Sequence, residues 1–481
     1  MRSKLWLILL SLALAQYSLS EPLGDKVLTP EDFVRRAIAH HPGVQKLFYE
    51  YREKTSIQKQ SGALKDFLLS SKLDYTYTGP LDKNGVLTGE KSDSLGFAAT
   101  LSKKFPSLLG MNASLSAGYS SVSGQNYTSG QEIRQYQPTL GAAITLPLLK
   151  NFLGLLDLNT LKNMEQGLQM LKYSQEEALE LWLSGLYATY QEWALAYQKV
   201  KLYNEIKDRS ALILAQTQRK SRYKIADESD LVLARENFLK YQSLVLGAIK
   251  DEQKQYLYIL SYLGQTKPES RYEPLWDTKG TQIPVPNPPG PESLRIIRLA
   301  KLQLEYQNTR LASATSDLKP SLDLELQYRQ NGGGDNGGDS FKYLNQNEFY
   351  VGFLFSMPLE NTDKKNAHRA SVAALGKVQK EYEELALAVS TELSQIADEL
   401  KSQSAILKLN EERVKLSAYR VELMTGRYGQ SRVTLKELTD VRDTYASTLM
   451  SYLEEQNTYQ KKLLEYKTLS DQLDLSVLGP E

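Results

Sequence analysis

Two carboxylates three residues apart, Glu437 and Asp440, are the residues of this sequence best placed to act on an ion. They lie in the phrase RYGQSRVTLKELTDVR at 427–442, and a spacing of three puts both on one face of a helix. Repeated by symmetry, such a face would form stacked acidic rings, which favour cations and could bind a divalent ion. Most carboxylates at this spacing simply form a solvated helix face, so the pair by itself leaves both interpretations open.

The phrase that holds this pair has a looser copy, RYKIADESDLVLAR, at 222–235. Asp230 of this copy aligns with Glu437 at an offset of 207, because 437 − 230 = 207. Tyr223 aligns with Tyr428 at an offset of 205, so this alignment requires that two residues were gained or lost between the copies. A phrase written twice in one chain predicts two related structural positions.

The sequence contains no other constellation of an acid, a base and a nucleophile. It has no P-loop, no dinucleotide-binding fingerprint, no nucleophile elbow and no HExxH motif. His40, His41 and His368 lack the spacing of metal ligands, and we expect them to pack at the surface or at junctions. The run GGGDNGGD at 332–339 is one imperfect match to a calcium loop, and we interpret it as part of a long exposed loop. We predict no enzyme, no cofactor and no metal site.

The composition and the first residues define the broad class of the protein. Lys and Arg number 58 and Asp and Glu number 57, so no excess charge favours a nucleic-acid partner. Residues 1–20, with Arg2 and Lys4 before a short apolar run, are predicted to be a secretory signal peptide. We expect cleavage before Glu21, or alternatively after Ala15. The exported chain has no cysteine, so we expect neither disulfides nor a lipid anchor.

An internal repeat divides the chain. The first repeat covers 21–281, the proline-rich linker QIPVPNPPGPE covers 282–292, and the second repeat covers 293–481. Each repeat is predicted to contain a helix, then strands, and then a pair of long helices. The opening helix of the first repeat is expected to begin at a Thr29 cap and to run to about Phe67.

Period-two alternation predicts strands at about 71–147 and 321–358. One set of alternate positions is apolar and the other is small or polar, so each strand has an apolar face. Two further alternating runs, at 94–105 and 110–121, occur only in the first repeat. Because open strand edges cannot exist in lipid, these few strands must enter a barrel shared by several chains. An aromatic girdle or ordinary sheet packing would explain the tyrosines near the strand ends: Tyr75, Tyr77, Tyr119, Tyr328, Tyr343 and Tyr350.

Heptad spacing predicts the long helix pairs, at about 155–265 and 362–473. Some 60 helical residues would reach about 90 Å, which no compact globule needs. The apolar positions that step by three or four are Leu179, Trp182, Leu186, Tyr190, Trp193, Tyr197 and Val200 in the first repeat, and Val389, Leu393, Ile396, Leu400, Gln403 and Leu407 in the second.

The ordered set of these motifs resembles the TolC-like outer membrane efflux proteins over the whole mature chain. The matching segments are AHHPGV near the start, DLKPSLDLELQY, LPLLKNFLG and MPLENTDKKNAHRA at the helix–strand junctions, and the two RY phrases. The resemblance implies a mainly α fold with a membrane β-barrel. Coiled-coil hairpins would form a periplasmic α-barrel, and strands would enter a shared barrel in outer-membrane lipid. It also implies a homotrimeric passive duct in a Gram-negative bacterium, working with a periplasmic adaptor and an inner-membrane pump or ABC transporter.

The resemblance places both RY phrases at periplasmic helix tips, where the tunnel narrows to a gate. The second tip matches the family at Tyr428, Ser431, Thr434, Glu437 and Asp440, and the first at Tyr223, Ser229 and Asp230. Ser431, and Ala226 in the first copy, stand where the family has glycine, which puts the turn geometry in question. Arg432 lies one place nearer to the tyrosine than the family's gate arginine, which puts its role in question.

Two alternatives to an exit duct remain at this stage. A non-conducting periplasmic coiled-coil protein, such as an adaptor, would need only one hairpin and usually an anchor. A secreted enzyme on a helical scaffold would need a site that the sequence does not contain. The two extra strands would either enlarge a 12-stranded barrel toward 18 strands or form a hairpin outside it. Drugs, metals and unfolded proteins are all cargoes of the family.

Overall fold

The computed structural model describes residues 27–78, 91–125, 132–266, 271–276, 289–342 and 344–475. The chain divides into two compact units. The first comprises Met1–Tyr49, Glu176–Arg295 and Leu387–Glu481, and the second comprises Glu50–Gln175 and Ile296–Ala386. Each unit takes segments from both predicted repeats, so repeats and compact units are different divisions of the chain. The predicted signal peptide and most of the proline-rich linker lie outside the described residues.

The described residues form eight strands and seven α-helices. The strands are β1 (Val27–Leu28), β2 (Phe67–Thr78), β3 (Lys91–Phe105), β4 (Met111–Gln125), β5 (Glu132–Pro147), β6 (Glu273–Pro274), β7 (Ser321–Asn331) and β8 (Gln346–Ser356). The helices are α1 (Pro30–His40), α2 (Pro42–Lys59), α3 (Leu155–Arg222), α4 (Glu228–Tyr262), α5 (Arg295–Asp317), α6 (Thr362–Gly429) and α7 (Leu435–Leu469). None of the helices in this described part of the chain combines the length and the apolar character that a membrane crossing needs.

The second unit contains one six-stranded antiparallel sheet, in the order β2-β3-β4-β5-β7-β8. The two extra strands predicted in the first repeat are β3 and β4, and they lie inside this sheet. β3 pairs with β2 on one side and with β4 on the other, and β4 pairs with β5. Of the two alternatives that the sequence left open, the structure therefore favours strands that widen the sheet over a separate hairpin.

The sheet has one apolar face and one polar face. Directly paired residues of neighbouring strands lie on the same face, and successive residues of a strand lie on opposite faces. One register row is wholly apolar: Leu69, Leu101, Leu115, Ala142, Tyr328 and Phe349. The adjacent row, on the other face, is small or polar: Ser70, Thr100, Ser116, Gly141, Arg329 and Glu348. Leu69 and Phe349 are 71% and 72% exposed, so the apolar face is uncovered in the single chain.

The register also assigns the tyrosines to faces. Tyr75, Tyr77, Tyr119 and Tyr328 share the apolar face, as the girdle hypothesis requires. Tyr350 pairs with Gln327 and lies on the polar face, so ordinary sheet packing explains this tyrosine. Alternation along β8 agrees, because Phe349 and Val351 on either side of Tyr350 belong to the apolar set. Tyr343 lies outside the described residues.

The glycine-rich segment after β7 does not behave as a simple exposed loop. Gly334 exchanges two backbone hydrogen bonds with Tyr136, at 2.9 and 3.1 Å. Ser340 is completely buried, and the Phe341 ring stacks on Tyr119 with centroids 5.5 Å apart. The interpretation as a wholly exposed loop was wrong, because the segment continues the pairing with β5 and folds back over β4.

The turn between β3 and β4 is held against the start of α3. Gly154 has φ +74°, and a Cβ added there would lie 2.3 Å from the carbonyl oxygen of Pro106. The side chain of buried Asp157 accepts hydrogen bonds from Lys104 and Asn151, both at 2.7 Å. The extra hairpin is therefore fixed by its turn as well as by its strand pairing.

The opening helix of the first repeat is two helices. Thr29 caps α1 as predicted, because its Oγ1 accepts the backbone N–H of Asp32 at 3.1 Å. The chain leaves the helix at His41, whose backbone is extended. The α-helical conformation is disfavoured for a residue that precedes proline. His41 therefore leaves the first helix, and Pro42 begins a new helix, α2. The following strand begins at Phe67, where the helical pattern was expected to end.

The heptad positions pack as the sequence predicts. On α3, the side chains of Leu179, Leu186, Tyr190 and Trp193 are buried, and on α6 those of Val389, Leu393, Ile396, Leu400 and Leu407 are buried. The Tyr190 hydroxyl donates a hydrogen bond to the Leu28 carbonyl at 2.6 Å. Since Leu28 belongs to β1, which pairs with β6, this tyrosine joins the long helix to the small two-stranded sheet.

A charged cluster lies at the N-terminus of α5. Arg295, which is 13% exposed, contacts three carboxylates. Its Nε lies 3.0 Å from Glu177, its Nη2 lies 3.0 Å from Asp471, and it also pairs with completely buried Glu180. Burial raises the pKa of Glu177, while the hydrogen bond from Arg295 opposes that shift. The guanidinium already lies among the three carboxylates, so this group is an ion-pair cluster.

Candidate functional site at the helix tips

Both RY phrases form the tips of helical hairpins in the first unit. The first tip joins α3 to α4 through residues 223–227, and the second joins α6 to α7 through residues 430–434. An apolar cluster packs the tips together: Ile213, Ala234, Tyr428, Leu435 and Leu438, with Leu214, Leu233, Met424 and Val433 at its margin.

The two turns have the same backbone at a constant offset of 207. Lys224 and Ser431 both have positive φ, at 57° and 59°. The next residue of each turn donates a 2.9 Å backbone hydrogen bond to the carbonyl five residues earlier: Ile225 to Lys220, and Arg432 to Arg427. The helix caps that follow are also equivalent, at Asp227 and Thr434.

This constant offset corrects the sequence alignment of the tips. No residue was gained or lost, so Tyr223 corresponds to Gln430 and not to Tyr428. Similarly, Lys224 and not Ala226 takes the place of Ser431. The left-handed conformation that favours glycine is occupied by lysine in one tip and serine in the other. A side chain there costs roughly 1–2 kcal/mol, and the Ser431 hydroxyl accepts a hydrogen bond from Lys220 at 3.3 Å.

Tyr428 is held by its own chain. It is 4% exposed, and its hydroxyl lies 2.9 Å from the hydroxyl of buried Thr217. The Lys220 ammonium donates to the Tyr428 carbonyl at 2.7 Å and lies 4.0 Å from the centre of its ring. In this state the tyrosine stabilises the packing of one tip on the other.

Glu437 takes part in a capping box. The Thr434 hydroxyl accepts the Glu437 backbone N–H at 3.2 Å, and the Glu437 carboxylate accepts the Thr434 backbone N–H at 2.8 Å. The carboxylate also accepts a hydrogen bond from the Thr434 hydroxyl at 3.0 Å. The bond from the Thr434 backbone N–H first, and then the bond from its hydroxyl, lower the pKa of Glu437 below its ordinary value. Charge on Glu437 is therefore favoured by the folded tip, and this residue has a structural role whether or not it faces a pore.

Replacing Thr434 with alanine is expected to destabilise the second tip by about 1 kcal/mol. The change removes the hydroxyl that accepts the Glu437 N–H and leaves the first turn of α7 without its side-chain cap. Hydrogen exchange of the backbone amides of 430–438 measures the effect. Thr434→Ser keeps the hydroxyl and should exchange like the wild type. Equal protection in Thr434→Ala and Thr434→Ser would contradict the role of the cap.

The remaining predicted tip residues lie on the surface. Arg432, Asp440, Tyr223 and Ser229 are exposed, and Asp230 is half-buried. Glu437 and Asp440 share the exposed side of the first turns of α7, as their spacing predicts. The carboxylate of Asp440 has no hydrogen bond or ion pair within the described ranges, so of the two carboxylates it is the one not engaged within its own chain.

Sequence reasoning missed the partners that α3 and α4 supply. Thr217 and Lys220 hold Tyr428, and Asp443 pairs with Lys240 at 2.6 Å. Asp443 also accepts a hydrogen bond from Tyr241; burial first, and then this bond, raise the pKa of that tyrosine. The available signal was the basic run RKSRYK at 219–224, which begins before the first phrase.

The fold is that of TolC-like outer-membrane efflux channels. No protein-family model matches the sequence, and no curated protein matches it significantly. CusC, whose crystal structures concern folding and transmembrane channel formation, is similar with a TM-score of 0.67 and 12% identity, over 94% of this chain and 95% of that chain.

Two further channels show the same likeness. The Campylobacter jejuni CmeC outer membrane channel has a TM-score of 0.66 and 12% identity, over 93% of this chain and 86% of that chain. The open state of the Neisseria gonorrhoeae MtrE outer membrane channel has a TM-score of 0.63 and 12% identity, over 95% of this chain and 94% of that chain. At such identities the likeness establishes the fold, and the predicted combination of helical hairpins with a β-sheet is confirmed. The internal duplication stays a prediction.

Proposed function

We propose that this chain is one protomer of a trimeric exit duct in the outer membrane of a Gram-negative bacterium, extending into the periplasm. The observation that carries the proposal is the uncovered apolar face that runs across all six strands of the sheet. Soluble monomers rarely expose contiguous apolar patches of this kind. Outer-membrane lipid would cover this face, and the polar face would line water.

The two edges of the sheet support a shared barrel. Within the described residues, β2 and β8 each pair on one side only. Unpaired backbone groups are not tolerated in hydrocarbon, so lipid-embedded edges must meet other strands. Head-to-tail pairing of identical copies closes a ring with no free edge.

Exposed stripes on the helices support the association of copies. Each steps by seven residues: Val232, Leu239 and Leu246 on α4, and Leu409, Leu416 and Leu423 on α6. Along the chain, α4 runs away from the tips and α6 runs towards them. Because both stripes step by seven residues, Val232 lies level with Leu423 and Leu246 lies level with Leu409. Such stripes fit a coiled-coil seam between α6 of one copy and α4 of the next.

The duct would be passive and gated at the helix tips. The sequence has no nucleotide-binding motif, so energy would come from an inner-membrane pump or ABC transporter reached through a periplasmic adaptor. The solved MtrE structure is described as an open state. This supports the proposal that a channel of this fold adopts more than one state. Opening here would require the tips, held by Tyr428 and its partners, to separate.

Current through planar bilayers tests the proposal. The mature chain is purified as a folded trimer and reconstituted, and single-channel steps are recorded. We expect small, cation-selective steps. A folded trimer that carries no current would contradict the duct and would favour a non-conducting periplasmic coiled-coil protein.

Replacing Asp440 with asparagine is expected to lower the preference for cations on the order of two- to ten-fold, because three charges would leave the narrowest part of the duct. Reversal potentials in a salt gradient measure this preference. Asp440→Glu keeps the charge and should keep the selectivity. If Asp440→Asn conducts with unchanged selectivity, the constriction lies elsewhere in the duct.

A further inference from the structure

The hairpin formed by β3 and β4 has the chemistry of a membrane wall. Its apolar face carries large side chains, including Leu95, Phe97, Leu101, Leu115 and Tyr119. Its other face is small and uncharged over most of its length: Ser94, Gly96, Ala98, Thr100, Ser102, Asn112, Ser114, Ser116, Gly118 and Ser120. A hairpin in water would expose the first face at a cost, whereas a barrel places it against lipid.

The hairpin is also continuous with the strands on either side. β2 pairs along its whole length with β3, from Phe67 with Lys103 to Thr78 with Ser92. β4 pairs with β5 from Asn112 with Thr145 to Gln125 with Glu132. The apolar row continues through all four strands without a change of parity. The hairpin therefore separates β2 from β5 and widens the sheet by two strands.

We propose that three copies close a wall of 18 strands, in which β8 of one copy pairs with β2 of the next. This inference rests on the proposed trimeric duct. With strands about 4.8 Å apart and tilted about 40°, 18 strands give a backbone radius of about 18 Å, against about 12 Å for 12 strands. After side chains the clear bore is about 25 Å, against about 15 Å. The small, hydroxyl-rich face that the hairpin contributes is uncharged over most of its length, so the added strands widen the exit half for bulky, water-soluble cargo.

The sheet's own stagger predicts which residues meet at the seam. The register row that starts at Phe67, the first residue of β2, reaches Val351 in β8. Strand β8 ends at Ser356, at the edge of the sheet where β2 begins. The row that starts at this edge meets β8 at Val351, before the end of the strand, so the row climbs along the strands as it crosses the sheet. A tilt of 35–45° requires a climb of about six to eight residues per copy. Because the apolar face must continue across the seam, the shift is even. Val351 therefore meets Leu73 or Tyr75 of the next copy.

Engineered cysteines test the seam in a chain that has none of its own. We expect Val351→Cys with Leu73→Cys, or with Tyr75→Cys, to form covalent dimers and trimers upon oxidation in membranes. Val351→Cys with Asp74→Cys is the matched control; it should not cross-link, because Asp74 lies on the opposite face. Leu73→Cys with Phe97→Cys should form a bond within one chain, since these residues pair directly. A folded trimer with no cross-link from Val351 to Leu73 or Tyr75 would overturn the seam.

The bore is measured with the unmodified chain. Polyethylene glycols added on the outer side lower the single-channel conductance only if they enter the barrel. We expect entry of polymers with hydrodynamic radii up to about 12 Å, as the wider bore requires. A cut-off near about 7 Å would correspond to 12 strands and would overturn this inference while leaving the conducting duct intact. Absence of any current would instead count against the duct itself.

Discussion

Replacing Arg295 with alanine is expected to destabilise the first unit by about 3–5 kcal/mol, because it leaves buried carboxylates without their counter-charge. Glu180 is completely buried, and Arg295 is the cation that pairs with it, with Glu177 and with Asp471. Chemical unfolding in detergent, followed by tryptophan fluorescence, measures the loss. Arg209→Ala, which breaks an exposed pair with Glu205 in the same unit, should cost no more than about 1 kcal/mol.

The Arg295→Ala defect is expected to shrink as the pH falls. Burial already raises the pKa of Glu177 above its ordinary value in the wild type. A carboxyl with a raised folded pKa favours folding below its unfolded pKa and loses that contribution as the pH rises through the folded one. Without Arg295 the shift should grow, so acid should partly restore stability to the variant. If Arg295→Ala loses no more free energy of unfolding than Arg209→Ala at every pH tested, including neutral pH, the cluster carries little stability.

Replacing Gly154 with alanine is expected to destabilise the second unit by about 2–4 kcal/mol. The positive φ of 74° disfavours a side chain, and the added Cβ would lie 2.3 Å from the Pro106 carbonyl oxygen and 2.9 Å from the Gly110 nitrogen. Both neighbours are backbone atoms, so no rotamer change relieves the overlap, and overpacking of this kind adds about 1–3 kcal/mol to the conformational cost. The turn of the β3–β4 hairpin would separate from the start of α3.

The amount of folded protein, together with unfolding in detergent, measures this effect. Gly185→Ala is the matched control. A Cβ at Gly185 meets nothing within 4 Å, and alanine in a helix interior is favoured over glycine by up to about 1 kcal/mol. We expect Gly185→Ala to assemble as well as the wild type or better. Equal yields and stabilities of the two variants would mean that the junction at Gly154 tolerates a side chain.

Local structure was readable from the sequence wherever one period dominates. The heptad positions Leu186, Tyr190 and Trp193 are buried on α3, and Leu393 and Leu400 are buried on α6. The strands follow the period-two runs, and Thr29 caps α1 as its spacing with Asp32 predicts. These features depend on neighbours within a few residues along the chain, which a pattern can register directly.

Pairing between distant segments was decided only by the tertiary structure. Alternation shows that β3 and β4 are strands, but the choice of partners, and therefore the place of the hairpin inside the sheet, depends on register across the fold. A shift of one residue in the pairing would turn every side chain of a strand to the other face of the sheet. The alternation within one strand contains no information about which strand pairs with it.

The tips show the same division. Spacing put Glu437 and Asp440 on one side of α7, and the family resemblance put the RY phrases at two turns. The tertiary structure decided that the turns match at a constant offset of 207, because positive φ and hydrogen bonding at Lys224 and Ser431 define the turn and the tyrosines do not. It also decided that Tyr428 is held by Thr217 and Lys220 of another helix. The sequence by itself determined the elements and their faces, whereas the contacts between distant elements, which no local period encodes, exist only in the folded chain.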